Sequence, residues 1–319
     1  MQKKLLAIAL AALGTVGSAQ AGVMGQSVLE ITNFQFLNSV GGTLVNVSQL
    51  TSLAFNDSSN ATANLNGVIA SSAINQNVFG TLDLAQQCVG GAGVCAAFGQ
   101  NNFSQRLAPA TVNVARADTL LQGSPLGGTP FGTAADAHVV NEGQLASIGG
   151  FGAIQSNLGL TASFSFALAS SQAITISLNS LSHLIANVDL GNVGAARASE
   201  QWVIDIRDSS GAQVFSWAPN GGAGGISGTG AFFETTDTCD LQRAVNAQIA
   251  GQTAVFNCAG THVATTGTLT GGDFYTLGLR HAGDVDVSRV VPEPSSVMLV
   301  GLALAGLGFG ARRKKVAAA

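Results

Sequence analysis

The sequence predicts a mostly β protein, an antiparallel β-sandwich of jelly-roll type that carries a single transmembrane helix at its C-terminal end. Three observations support this fold class. Apolar and polar residues alternate over 163–168, 174–178 and 202–207. Turn-forming residues separate such segments, as in Asp208-Ser209-Ser210-Gly211, and an uncharged run of membrane length stands close to the C terminus. Period-two alternation is typical of antiparallel strands that bury one face.

Strand-like segments recur along most of the chain. Trp202, Ile204 and Ile206 share one predicted face, and residues 213–217 return after the turn as a hairpin partner. In chain order, the predicted strands cover residues 27–37, 44–53, 61–70, 163–168, 174–178, 202–207, 213–217, 275–279 and 285–290. The absence of a fixed repeat period disfavours a solenoid or a propeller.

Residues 107–160 do not follow the alternating pattern. Pro109, Pro125 and Pro130 fall within this range, and residues 134–147 are compatible with a short helix. We therefore expect an irregular excursion here, within one secreted domain that covers residues 22–290.

The N-terminal residues 1–21 have the plan of a secretory signal peptide. Lys3 and Lys4 form a basic start, residues 5–16 are apolar, and Ala19-Gln20-Ala21 is a small-residue cleavage site. This pattern predicts the Sec translocon and signal peptidase as partners, with cleavage before Gly22. An uncleaved N-terminal anchor is the alternative.

The C-terminal residues 291–319 contain a second segment of membrane type. Residues 296–311 carry no charge, and Arg312-Arg313-Lys314-Lys315 follow directly. At about 1.5 Å of rise per residue, a helix over 295–311 is roughly 25 Å long, at the short end of what crosses a hydrocarbon core. The basic cluster would stay on the cytoplasmic side.

Immediately before this segment lies Val291-Pro292-Glu293-Pro294. A Pro-Glu-Pro spacer, an apolar span and a basic stop together resemble the PEP-CTERM sorting signal of proteins that Gram-negative bacteria secrete. The resemblance implies an exosortase as partner, transient residence in the inner membrane, and cleavage near Pro292–Pro294 that releases or transfers the product. A permanent membrane anchor is the rival interpretation.

The charge distribution changes once both terminal segments are set aside. They hold 6 of the 13 basic residues, including every lysine, and one of the 17 acidic residues, Glu293, so that 7 arginines remain against 16 acidic residues. An acidic, lysine-free body argues against nucleic acid and against anionic lipid surfaces as electrostatic partners.

Four cysteines form two local pairs, Cys88 with Cys95 and Cys239 with Cys258. In an exported protein an even number of cysteines indicates disulfides. Three connectivities are possible, and the local one is favoured because each bond then closes a short loop. A zinc site is the alternative, although neither pair has Cys-x2-Cys spacing.

Motifs of catalysis are mostly missing from the sequence. It contains no Gly-x-Ser-x-Gly elbow, His-Glu-x-x-His helix, P-loop or EF-hand loop. Asp273, Asp284 and Asp286 could approach a calcium ion at a strand end, but solvated acids are the simpler interpretation. Glu142, Glu200 and Glu234 are available as glycosidase carboxylates, with no signal that brings two of them together. We expect no metal and no cofactor.

Aromatic residues are the usual platform for sugars. Trp217 ends a strand before a Gly-rich loop, and Tyr275 begins one, so both are candidate ligand-binding residues. A position at the rim of that loop would expose Trp217, but core packing is the favoured interpretation of this residue. Trp202 lies in phase with two isoleucines and is expected in the core. A glycan role requires Trp217 or Tyr275 to be exposed on a concave face.

The pattern as a whole predicts an exported, exosortase-sorted protein of the cell surface or of the extracellular matrix, associated with exopolysaccharide or biofilm and without enzymatic activity. A carbohydrate-binding module of the matrix is the first alternative. A secreted hydrolase is the second.

Overall fold

The computed structural model of the protein describes residues 22–77, 82–91, 93–106, 112–146, 152–190, 192–222 and 224–290. The strands within these residues are β1 (Val23–Asn38), β2 (Leu50–Leu65), β3 (Val68–Gln76), β4 (Leu82–Gly90), β5 (Val114–Gly123), β6 (Ala135–Leu145), β7 (Gly152–Leu168), β8 (Ile174–Val188), β9 (Val193–Asp208), β10 (Gln213–Trp217), β11 (Ile226–Gly228), β12 (Phe233–Asp237), β13 (Ala244–Ala247), β14 (Gln252–Thr265) and β15 (Phe274–Val290).

The strands form two antiparallel sheets. The first, sheet A, has the order β12-β14-β8-β1-β6-β5-β4, and the second, sheet B, has the order β11-β10-β9-β15-β7-β2-β3 with β13 added beside β9. Long central strands pair along nearly their whole length, as β15 does with β7 and with β9. The mostly β, antiparallel fold expected from alternation is confirmed, whereas the jelly-roll connectivity stays a prediction.

The two sheets stack face to face around an apolar core. Phe36 of sheet A meets Phe164 and Phe166 of sheet B, with ring centroids 5.3 and 5.2 Å apart in edge-to-face contact. Such contacts stabilise beyond the area that they bury. Trp202 lies in this core, as its phase with Ile204 and Ile206 predicted.

The structure of residues 107–160 differs from the irregular excursion that the sequence predicts. Strands β5 and β6 and the first half of β7 lie there, and the helix expected over 134–147 is wrong because β6 occupies residues 135–145. The reason is the central position of β6 between β1 and β5. Both of its faces are largely buried, so the alternation that marks a half-exposed strand is lost. Pro125 and Pro130 lie in the β5–β6 connection, outside the paired strands.

The disulfides have the local connectivity that spacing favoured. Cys88 at the end of β4 pairs with Cys95 in α1 (Val94–Phe98), and Cys239 pairs with Cys258 of β14. The first bond fixes the start of a segment, residues 93–106, that crosses the outer face of sheet A.

The two ends of the described domain lie at one end of the sandwich. β1 begins beside the last residues of β8, with Val23 opposite Val188, and β15 finishes beside the first residues of β9, with Arg289 opposite Gly194. In the part of the chain that the structure describes, no helix is long and apolar enough to cross a membrane. The predicted signal peptide and the predicted span 296–311 lie outside the described residues.

Candidate functional site

The residues that carry the sorting prediction lie outside the described part of the chain. They are Ala19 and Ala21 of the signal cleavage site, Val291, Pro292, Glu293 and Pro294 of the motif, and Arg312, Arg313, Lys314 and Lys315 of the basic stop. Any site within the sandwich must therefore be built from other residues.

The three candidate glycosidase carboxylates occupy three separate environments. Glu142 is on the outer face of sheet A in β6, Glu200 points between the sheets from β9, and Glu234 is on the edge strand β12. Glu142 is bound by arginine side chains, Glu200 by Ser182, and Glu234 by the indole N–H of Trp217. No two of these three share a cleft, so the paired-carboxylate arrangement of a glycosidase is not formed by them.

The candidate calcium ligands are also divided. Asp284 and Asp286 are two residues apart on the same face of β15, whereas Asp273 precedes the opposite end of this strand. Burial and, after it, the neighbouring Asp286 carboxylate raise the pKa of Asp284 to about 6. Among the described residues no group of three or more potential ligands comes together for a metal ion.

Both aromatic residues that the carbohydrate-binding alternative requires at an exposed face are buried, since Trp217 is 0% and Tyr275 6% exposed. Trp217 is on the inner face of β10 and Tyr275 on the inner face of β15, and both belong to the main core. Trp217 donates from Nε1 to Glu234 Oε1 at 2.5 Å, and the Tyr275 hydroxyl accepts from the Thr270 N–H at 2.9 Å. For Trp217 this is the core packing that the sequence favours.

A serine, a histidine and an aspartate form a hydrogen-bonded chain at one side of the sandwich. Ser180 Oγ lies 2.7 Å from His262 Nε2, and His262 Nδ1 lies 2.9 Å from Asp237 Oδ1. The other oxygen of Asp237 accepts the backbone N–H groups of Asn220 and Gly221 at 2.7 and 3.0 Å. We call these three side chains the Ser–His–Asp chain.

Three neighbouring strands position the Ser–His–Asp chain. Ser180 comes from β8, His262 from β14 and Asp237 from the end of β12, which are consecutive strands at the edge of sheet A. Burial lowers the pKa of His262, while the Asp237 carboxylate acts in the opposite direction. A neutral imidazole that donates from Nδ1 to Asp237 leaves Nε2 to accept the Ser180 hydroxyl proton.

The connectivity of the Ser–His–Asp chain matches that of an activated nucleophile, but its surroundings do not. Ser180 is only 5% exposed, and the side chain of His262 is fully buried. β8 is paired on both sides at Ser180, with Ile31 of β1 and with Gly260 of β14. The backbone amides beside the hydroxyl are thus committed to the sheet, whereas acyl transfer needs N–H donors aimed at the developing oxyanion. In this position the Ser–His–Asp chain joins β8, β14 and β12 to one another.

A second polar cluster holds residues 93–106 against the outer face of sheet A. Arg116 Nε donates to Glu142 Oε2 at 2.8 Å, and both side chains are fully buried. Arg106 Nε lies 2.7 Å from the other oxygen of Glu142, and Arg116 Nη1 donates to the Asn102 carbonyl at 2.8 Å. The guanidinium groups of Arg106 and Arg116 lie 4.4 and 4.9 Å from the centroid of the Phe98 ring.

A layer of polar side chains between the sheets separates the main core from a smaller apolar cluster. Glu200 accepts a hydrogen bond from Ser182, and burial raises the pKa of Glu200 to about 8. Burial lowers the pKa of His281 to about 3. Within the described protein, Glu200 Oε2 and both ring nitrogens of His281 make no hydrogen bond. Both groups are therefore neutral at pH 7.

The outer face of sheet B carries a polar groove of about 460 Å³. Asp205 lies at its centre and binds Arg207 Nε and Arg280 Nη2, each at 2.8 Å. Glutamine, serine and threonine side chains also line it, together with Val203, Ala282 and the buried His281, and the lining contains no Phe, Tyr or Trp. This groove offers hydrogen bonds but no Phe, Tyr or Trp ring for a sugar to stack on.

The polar clusters could not be predicted from the sequence. Ser180, Asp237 and His262 are dozens of residues apart, and Arg116 and Glu142 belong to strands whose alternation is hidden by burial. A signal exists only in retrospect: charged and polar residues in apolar segments require partners.

The comparisons with known proteins identify the tail and leave the sandwich without a relative. The model of the PEP-CTERM protein-sorting motif matches residues 290–314, so the resemblance of the tail is confirmed. No curated protein matches the chain. Among solved structures, the VP2 subviral particle of infectious bursal disease virus aligns over 86% of this chain and 82% of that chain, at 11% identity and a TM-score of 0.10. A VP2 mutant of the same virus aligns over 88% and 81%, at 10% identity and a TM-score of 0.11. Scores this low carry no argument about fold or function.

Proposed function

We propose that this chain is a non-enzymatic exported protein that an exosortase sorts to the cell surface or to the extracellular polysaccharide matrix, where its β-sandwich is the mature part. The PEP-CTERM motif implies export, an extracellular or cell-surface location in Gram-negative bacteria, and an exosortase as processing partner. The matrix location and the absence of catalysis are the parts that we add.

The observation that carries the proposal is the junction between the domain and the motif. β15 pairs with β7 through Arg289 and with β9 through Val290, and the match to the sorting motif starts at residue 290. A cut near Pro292–Pro294 therefore falls after the last residue of the sheet. Both neighbours of β15 keep their hydrogen bonds when the tail is removed, so that processing costs the domain none of its strands.

The environment of the polar clusters supports a role without catalysis. The Ser–His–Asp chain and the Arg116–Glu142 pair are enclosed, and each contributes hydrogen bonds between separate secondary-structure elements. Two disulfides are consistent with an oxidising compartment outside the cytoplasm.

Intact-mass measurement of the protein secreted by producing cells tests the proposal. We expect a species that begins at Gly22, ends near Pro292–Pro294 and contains two disulfides. The matched control replaces Arg312–Lys315 with neutral residues, which should disturb the topology of the tail and leave the precursor uncut. Secretion of a species that still contains residues 296–311, or identical maturation of the control, would contradict the sorting role.

A further inference from the structure

One end of the sandwich gathers both boundaries of the described domain. Gly22 and Val290 lie there, and Val23 Cγ2 is 3.1 Å from the position that a Cβ atom on Gly194 would occupy. The β2–β3 turn is also at this end, because the Asn66 N–H donates to the Ala153 carbonyl at 2.9 Å. We call this the terminal end. The opposite end of the sandwich carries the β1–β2 connection, which includes Val40.

Exposed apolar side chains are concentrated at the terminal end. Nine large hydrophobic residues are exposed in the part of the chain that the structure describes, and five of them lie on three turns or strand starts at this end. They are Val68 (62%), Ile69 (61%), Leu190 (73%), Val193 (55%) and Ile249 (69%). Such a concentration, unlike scattered single residues, is typical of an interaction surface.

Leu190 and Ile249 belong to two turns that touch. The Leu190 side chain lies over Gly251, 2.7 Å from the position of a Cβ atom there, and the Gly251 N–H donates to the Val188 carbonyl at 2.7 Å. Within the described residues of these two turns, 189–192 and 248–251, Asp189 is the one charged residue. Its carboxylate accepts the Gly22 N–H at 2.9 Å. The surface that the two turns present is consequently apolar and nearly uncharged.

The number of residues between Val290 and the apolar segment of the tail limits the distance between this surface and the bilayer. Only residues 291–295 separate β15 from the uncharged segment 296–311. Five extended residues span at most roughly 18 Å. While the tail is inserted, the terminal end is thus held within that distance of the bilayer, at a high effective concentration relative to the lipid.

We propose that the terminal end is a membrane-contact surface, on which Leu190, Val193 and Ile249 rest against the phospholipid headgroup and acyl boundary before the tail is cut. The proposal rests on the sorting role of the tail. The contact is apolar and is enforced by the tether, in agreement with an acidic body that anionic lipid does not attract. It also places the junction at residues 291–294 at the membrane surface, where an integral-membrane enzyme acts.

Tryptophan substitution tests the contact in the tail-bearing chain. Leu190→Trp and Ile249→Trp are prepared separately, so that one remains usable if the other does not fold. Val40→Trp, at an 88% exposed position on the opposite end, is the matched control. The native Trp202 and Trp217 are 2% and 0% exposed and give all variants the same background. Each chain is reconstituted into phosphatidylcholine vesicles with brominated acyl chains, and flotation confirms insertion.

We expect bromine to quench most of the emission that Leu190→Trp or Ile249→Trp adds, with a blue shift, and to leave Val40→Trp unquenched. Partial replacement by phosphatidylglycerol should not increase the quenching. Flotation without quenching of either variant, or equal quenching of Val40→Trp, overturns the contact surface and leaves the sorting role intact. Failure of the chain to float overturns both, because the tail then does not insert.

Discussion

Ser180 Oγ and His262 Nε2 are 2.7 Å apart at the buried edge of sheet A, and Asp237 completes a chain that also appears in hydrolases. β8 is paired on both sides of Ser180, and all three side chains are buried, so the Ser180 hydroxyl is enclosed. The same hydrogen bonds that would activate a nucleophile here connect β8, β14 and β12. Geometry within a triad is thus insufficient evidence for catalysis when substrate has no path to it.

The first prediction follows from this enclosure. A fluorophosphonate probe should not label the native protein, and Ser180→Ala should lower the free energy of unfolding by about 1–3 kcal/mol, because His262 loses a buried partner. Ser71→Ala, on the exposed edge strand β3, is the control and should have little effect. Mass spectrometry and denaturant titration give the two readouts. Labelling of Ser180 in the folded protein would establish a hydrolase and refute the non-enzymatic role.

The second prediction concerns Glu200, whose pKa is raised by burial to about 8. The folded protein binds a proton there that the unfolded chain releases above pH 4.5, so the stability that Glu200 contributes falls as the pH rises from about 4.5 to about 8. At pH 7 the loss is on the order of 3 kcal/mol. Glu200→Gln keeps the neutral shape and should remove this fall, which thermal melts between pH 5 and pH 8 would measure.

His281 shapes the acid side of the same profile. Burial lowers the pKa of His281 to about 3. As the pH falls below 6.5, the unfolded chain therefore binds a proton that the folded protein does not bind, and the stability that His281 contributes decreases. Between about pH 4.5 and 6.5 this contribution opposes that of Glu200, so Glu200→Gln should steepen the fall of stability towards acid there and leave the slope below pH 4.5 unchanged. The control is Glu30→Gln, on a carboxylate whose side chain is 32% exposed. A variant Glu200→Gln that keeps the alkaline fall of the native protein would show that Glu200 is not its source.

The third prediction tests the Arg116–Glu142 pair. Glu142→Gln leaves the guanidinium of Arg116 buried without its counter-charge, and should cost about 3–5 kcal/mol of stability. It should also loosen residues 93–106, so that limited trypsin digestion cuts first after Arg106. Arg243→Gln breaks an exposed pair with Asp240, at 3.5 Å, and should cost less than about 1 kcal/mol. Equal costs for both variants would mean that the buried pair contributes no more than a surface one.

Three strands and both disulfides of this fold could be predicted from the local sequence. The alternation of 163–168, 174–178 and 202–207 marks β7, β8 and β9, because their polar positions face outward and their apolar positions face the core. Short-loop spacing was sufficient for the two disulfides. In each of these cases the decisive information is local in the chain.

The features that the sequence did not reveal depend on contacts between residues that are distant in the chain. β6 could not be recognised because residues 93–106 and the second sheet bury both of its faces, and the position of Trp217 at a strand end does not show which way long-range packing turns its ring. The Ser–His–Asp chain joins strands whose order in the sheet is β12-β14-β8, which no spacing along the chain encodes. Burial by distant segments, rather than local propensity, decides all three.

The fourth prediction concerns the N-terminal boundary, where the Gly22 N–H donates to Asp189 Oδ2 at 2.9 Å and the Asp189 N–H donates back to the Gly22 carbonyl at 3.0 Å. Signal-peptide cleavage before Gly22 converts this amide into an α-ammonium group, so the hydrogen bond becomes an ion pair.

Because all four lysines lie in the two terminal segments, the α-amine is the sole primary amine of the mature chain. Acetylation therefore modifies Gly22 alone, and should lower the free energy of unfolding by about 1 kcal/mol in the native sequence. In Asp189→Asn the acetylated and free forms should be equally stable. A reagent that couples to more than one amine would show that the tail is still attached, and equal loss in both sequences would mean that Asp189 does not bind the new terminus.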